Sequence, residues 1–157
     1  MSEAPQAAFQ IEKIYVKDLS LEIPNAPQIF MQAEGPQLEV QVNNEAVQFA
    51  DGLYECTVTV TVTAKAGDKT MFLAEASQAG IFSIRGVPGD DLDPLLGIAC
   101  PTILYPYVRE VVSDVVSRAG FPPVVLTPVN FDALFQAQKQ AQAEQQKEAS
   151  PIIQATH

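Results

Sequence analysis

A hydrolytic or group-transfer site needs a nucleophile, a general base and a group that orients them. The chain supplies a single histidine, His157, at its last position, and two cysteines, Cys56 and Cys100. Cys100 has neither a histidine nor a basic neighbourhood in sequence to lower its thiol pKa, so a buried structural thiol is the expectation. Two cysteines are also too few for a disulfide framework or a four-ligand zinc site. Gly86-Val87-Pro88-Gly89-Asp90 lacks the Lys-Ser/Thr ending of a phosphate loop and places carboxylates where a phosphate would lie, so it reads as a polar turn. Asp90, Asp91 and Asp93 have the composition of calcium ligands, but no loop glycine and terminal glutamate follow at the required spacing. As acids at a helix N-terminus they are stabilised by the macrodipole instead. The reading is of a protein that is not an enzyme and carries no metal or other cofactor.

Charge narrows the partners. Nineteen acidic residues against nine basic ones give a formal charge of −10, which repels phosphate backbones and anionic membranes, so nucleic acid is not expected. The same field speeds encounter with basic polypeptides, or simply confers solubility. The start, Met1-Ser2-Glu3-Ala4-Pro5-Gln6, has no basic n-region or apolar run, which predicts a cytoplasmic protein. Pro101, Pro106 and Arg109-Glu110 interrupt the longest apolar stretch, so no direct membrane insertion is expected.

The elements that must position any site are strands first and helices afterwards. Phe9 to Ile23 reads as extended, but Phe9, Ile11, Leu19, Leu21 and Ile23 stand in one phase and Ile14 and Val16 in the other. A bulge near Lys13 reconciles the phases, and so do two separate strands. Pro24-Asn25-Ala26-Pro27 is a turn or linker. After Pro36, Leu38, Val40 and Val42 share one face of a second strand, opposite Glu39, Gln41 and Asn43. Tyr54 to Ala64 is the clearest strand, with Cys56, Val58, Val60 and Val62 alternating with threonines. Ala66-Gly67-Asp68 turns the chain into a fourth strand that runs through Gly80, a bulge or close-approach point.

The period then changes. Val108, Val111, Val112, Val115 and Val116 line one helical face, with Gly120 as a stop. Cys100-Pro101 marks the helix start and Pro106 a kink or second start. Asn130 caps a last helix with Phe131, Leu134 and Phe135 as its stripe. The fold predicted is α+β, a four-stranded antiparallel sheet with two C-terminal helices packed on one face. Residues 1–8 read as a flexible start, 9–143 as one domain, and 144–157 as a polar, disordered tail.

Five segments together are distinctive: Pro24-Asn25-Ala26-Pro27; Gly80-Ile81-Phe82-Ser83-Ile84; Cys100-Pro101-Thr102-Ile103-Leu104-Tyr105-Pro106-Tyr107-Val108-Arg109-Glu110; Ser117-Arg118-Ala119-Gly120-Phe121-Pro122-Pro123; and Pro128-Val129-Asn130-Phe131-Asp132-Ala133-Leu134-Phe135. Their order and spacing resemble the SecB family of proteobacterial export chaperones from about Phe9 to Phe135. The resemblance implies a homotetramer, a dimer of dimers, that captures unfolded preproteins as extended segments and passes them to the motor ATPase SecA. It implies client contact at Leu38, Val40, Val42 and Phe135, positions that an ordinary core would also bury. It implies that Asp18, Glu22, Leu73 and Glu75 meet the zinc-bearing, basic C-terminal segment of SecA. Asp18 and Glu22 alternate with apolar residues and Glu75 interrupts an apolar run, so all can project from one face. Two rivals stand beside this reading: a SecB-like chaperone dedicated to one partner, such as an antitoxin, and a small-molecule-binding or thiol-dependent enzyme using Cys100.

Overall fold

A computed structural model describes residues 6–149 of the chain. Its strands are β1 (Ala8–Glu22), β2 (Gln37–Ala50), β3 (Leu53–Ala66) and β4 (Lys69–Arg85), joined in one antiparallel sheet in the order β1-β4-β3-β2. Both hairpin turns follow from glycine. Gly52, between β2 and β3, has φ +68, and Gly67, first residue of the two-residue loop between β3 and β4, has φ +59, a conformation costly for any side chain.

The phase conflict in the first segment is resolved by two bulges in one strand. Register shifts fall between Ile11 and Lys13 and again between Val16 and Asp18. The first moves the apolar set from odd to even positions and the second moves it back. As a result Phe9, Ile11, Ile14, Val16, Leu19 and Leu21 all share the face that carries Phe82, Gly80, Gln78, Ala76 and Ala74 of β4. Gly80 itself makes no bulge against β3. It is a close-approach point, since a methyl there would stand 2.8 Å from the Phe82 ring and 3.1 Å from Leu104.

Because β1 and β2 occupy opposite edges, the intervening residues must cross the sheet. Asn25 fixes the start of that crossing: its Nδ2 donates to the Thr70 carbonyl at 2.9 Å, and its own carbonyl accepts from the Ile29 amide at 2.9 Å. A 3-10 turn, Gln28–Met31, then drops Ile29 into the core and stacks Phe30 on Phe121, with ring centroids 5.0 Å apart.

The helical region begins earlier than Cys100-Pro101 suggests. Helix α1 (Gly89–Pro94), a π turn (Leu95–Ala99) and α2 (Cys100–Arg118) run on as one path. Pro101 has no N–H, and its ring collides with the carbonyl four residues back in a regular α-helix. The wider turn, in which the Cys100 amide bonds to the Leu95 carbonyl, relieves that collision without a break. Pro106 likewise lies inside α2 and starts no new helix. Asp90 and Asp91 occupy the first turn of α1, as acids at a helix start should. At the other end Gly120, with φ +90, and the bond from the Phe121 amide to the Val116 carbonyl close α2.

The path Gly89–Arg118 is long and apolar enough to cross a bilayer. Its four-residue stripe Leu104, Val108, Val112 and Val116 is fully buried, however, against Cys56, Val58, Val60 and Val62 of β3 and the inner face of β4. It is a core helix. Ala74, Ala76 and Gly80 keep the β4 surface low enough for the helix to settle there. The last helix, α3 (Phe131–Ala149), is capped by Asn130, whose Oδ1 accepts from the Ala133 amide at 3.0 Å. It holds on through Phe131, edge-on to Tyr105, and then runs out exposed, so the tail expected from residue 144 is helical as far as Ala149. The first five residues, and the tail from 150 onward, lie outside the described residues.

Candidate functional site: an apolar edge and an acidic sheet face

Helix α2 covers β3 and β4 and leaves the edge strand β2 largely uncovered. Leu38, Val40 and Val42 pair with Ala64, Val62 and Val60, so their side chains continue the buried valine face of β3 past the shelter of the helix. Leu38 is 48% and Val40 44% exposed, and Val42 is half-buried. Leu38 and Val40 are thus large apolar side chains left open to solvent on the core face of the sheet.

The row continues to Asn44 and Ala46, where it meets the helices. A cleft of about 410 Å³ lies there between Asn44, Ala46, Leu96, Gly97, Phe135 and Lys139. Phe135, half-buried, forms its helical wall, with the Lys139 ammonium 4.8 Å from the ring centroid. The four expected client residues therefore share one side of the molecule without forming one cluster. Leu38 and Ala46 stand eight residues apart on β2, about 27 Å at strand spacing, so the surface is a long trough with Phe135 at one end. Gly97 and Lys139 were not singled out in the sequence. The packing of α3 onto the π turn depends on contacts that periodicity does not register.

Among the described residues no helix covers the opposite face of the sheet. Its register places Asp18 beside Ser77, Ser20 beside Glu75, and Glu22 beside Leu73. Across β3 these rows continue through Thr59, Thr61 and Thr63 to Asn43, Gln41 and Glu39. Asp18, Glu22, Leu73 and Glu75 thus do come together, on adjoining strands within three rows. Thr61 donates to Glu75 Oε2 at 2.9 Å, and Thr59 and Ser77 are hydrogen bonded at 2.9 Å, which levels the middle of the face. Glu39, in the row of Glu22 and Leu73, and Glu45, one row beyond Asn43, belong to the same field. Their phase on β2 was legible, but their neighbours were not until the strand order was known.

Further along this face Glu55 accepts hydrogen bonds from the Tyr15 hydroxyl and from Lys17 Nζ, the latter at 2.5 Å. The bonds from Lys17 and Tyr15 hold the Glu55 carboxyl below its usual range, while burial, followed by the Glu55 bond, pushes Tyr15 up to about 12. This corner is therefore internally neutral.

The thiols are poor nucleophiles. Cys56 and Cys100 are both fully buried, and the hydrogen bond to Cys56, reinforced by burial, drives the Cys100 thiol well above its ordinary value. Among the described residues no three His, Cys, Asp or Glu side chains are grouped to hold a metal.

A family profile described as preprotein translocase subunit SecB matches residues 2–142. The protein-export protein SecB of Chromobacterium violaceum is 61% identical over 139 residues, covering 88% of this chain and 93% of that one. The protein of the same name from Neisseria meningitidis serogroup B is 54% identical over 144 residues, covering 91% and 98%. Among solved structures, a Mycobacterium tuberculosis SecB-like chaperone in complex with an antitoxin peptide superimposes with a TM-score of 0.64 at 19% identity, over 77% of this chain and 90% of that one.

Proposed function

The chain belongs to the SecB family of preprotein translocase subunits, and from that premise we propose that it holds unfolded preproteins along the β2 trough and hands them to SecA through the open face of the sheet. Family membership makes it a protein-export chaperone. The division of labour between its two surfaces is our reading.

The observation that carries the reading is the exposed aliphatic row on β2. A trough of aliphatic side chains, with polar groups such as Asn44 and Lys139 at its edges, suits any extended segment, because apolar area and backbone groups are common to all of them. Folded proteins escape, since their apolar segments are already buried. Each contact can be weak. In a homotetramer built as a dimer of dimers, one long client reaching several troughs gains by effective concentration, so avidity replaces sequence specificity. The cytoplasm is where such a holdase meets preproteins before export.

On the other face, Asp18, Glu22, Glu75 and Glu39 around Leu73 present carboxylates and an aliphatic side chain to a basic partner, which fits the zinc-bearing C-terminal segment of SecA. The dedicated-partner alternative is the weaker one. This chain is 61% identical to a protein-export protein and 19% identical to the chaperone seen with an antitoxin peptide.

The test is to dilute a chemically unfolded, slow-folding preprotein into the protein and follow particle mass by light scattering. A particle of four chains that takes up the unfolded client, delays its folding and ignores the folded form supports the reading. A monomer indifferent to both overturns it.

A further inference from the structure

The open sheet face holds a second feature beyond its acidic rows. Tyr15, Val47, Phe49, Glu55 and Ile81 enclose a depression of about 230 Å³, below the roughly 300 Å³ at which small-molecule sites begin and closer to the size of one large side chain. Its apolar walls, Val47 and Phe49, are each 54% exposed, although they lie on the same face as the carboxylates. Phe49 projects there by strand alternation, two residues on from Val47, and the register slip between Gln48 and Ala50 leaves it unpaired against β3. Glu55, the one charged residue in its lining, is ion-paired with Lys17, and Lys13 stands beside Ile81 in the same row.

The surroundings are the reverse. Glu45 pairs one step along from Val47, and Asp18 and Glu75 follow at two and three steps from the Ile81 row. From Ile81 to Glu75 along β4 is six residues, about 20 Å, the reach of an extended hexapeptide. An apolar hollow at one end of an acidic strip defines an occupant by both charge and spacing.

We propose that this depression is an anchoring pocket for a basic peptide, taking one leucine-sized or aromatic side chain placed about six residues from the cationic cluster that meets Asp18 and Glu75. The proposal rests on the reading of the acidic face as a docking surface for a basic partner and adds a specificity element to it. Charge attracts many cationic segments, and the pocket selects those with an apolar residue at the right distance.

Fluorescence anisotropy with two labelled peptides tests it: one with four lysines and a single leucine six residues on, and a twin with serine in place of the leucine. The expected result is about tenfold tighter binding of the leucine peptide by the native protein. That preference should vanish in the double variant Val47→Ser, Phe49→Ser and persist in Phe135→Asp, which alters only the client trough. Both substituted residues are half exposed on an edge strand, and an unchanged circular dichroism melt establishes that the fold survives. Equal binding of the two peptides by the native protein overturns the pocket and leaves the acidic face standing. A preference that persists in the double variant also overturns it, by placing the leucine elsewhere. Binding that is indifferent to Asp18→Lys with Glu75→Lys removes the acidic face and the pocket together.

Discussion

Phe135 lies so close over Gly97 that a methyl group on Gly97 would stand 2.5 Å from ring Cδ2. The glycine is what allows α3 to seat its aromatic ring on the π turn, and that seat forms one end of the β2 trough.

Gly97→Ala therefore acts on α3 before it acts on the sheet. Overpacking costs about 1–3 kcal/mol in a closed core, but α3 is exposed beyond Phe135 and yields by shifting. The expected outcome is a several-fold loss of client holding with only a small fall in thermal midpoint. Combining it with Phe135→Ala should give no loss beyond that of Phe135→Ala alone, because the collision is gone. Refolding assays on the four proteins of the cycle measure this. Additive losses would show that Gly97 acts through something other than the ring.

Asp18→Lys with Glu75→Lys exchanges two negative charges for two positive ones on the face away from the trough. SecA binding is expected to weaken about tenfold or more at low salt while client holding stays at the native level. Wild-type affinity for SecA should also fall as salt is raised, since exposed charges are screened over about 10 Å at 0.1 M. Calorimetric titration at two salt concentrations reads both effects. Equal loss of SecA and client binding would show that the two surfaces are not separate.

The thiol-enzyme alternative makes an opposing forecast. With Cys56 and Cys100 fully buried and Cys100 held protonated by its neighbour and by burial, neither should react with an aromatic disulfide reagent until the chain unfolds. Cys100→Ala should cost modest stability and leave client holding intact. Rapid modification of the folded protein, or loss of function in that variant, would restore Cys100 to consideration.

How much of this was open to the sequence depended on the range of the interaction. The valine and threonine alternation of β3, the Asn130 cap and the Gly120 stop are local, and each appears where residue type and spacing put it. The phase conflict at Ile14 and Val16 left a bulge and two separate strands equally open, and the strand holds two bulges, because only pairing with β4 shows that Asp18 has returned to the outer face. Asp90, Asp91 and Asp93 read as acids at a helix start, but Cys100-Pro101 read as the start of the main helix, because nothing local to Pro101 signals the π turn that carries one path through it. On the acidic face, Asp18, Glu22, Leu73 and Glu75 came from family resemblance. Glu39 and Glu45 could join them only once β2 was known to be the far edge of the same sheet.

The Tyr15, Glu55 and Lys17 group predicts a pH dependence with opposite signs at its two limits. Glu55 has a lowered pKa in the fold, so its contribution to stability is present above its unfolded value and is lost as pH falls through the folded one. Tyr15 is raised from 10.0 to about 12, so its contribution is complete below pH 10 and is lost as pH climbs toward 12. Lys17, also raised by Glu55, is lost on the same alkaline side. The phenolate absorbance of Tyr15, isolated as the difference between the native protein and Tyr15→Phe, should therefore titrate near 12. In Glu55→Gln the midpoint should move down yet remain above 10, because burial is the larger cause and survives the substitution. A midpoint that does not move would mean that Glu55 does not bond the phenol in solution.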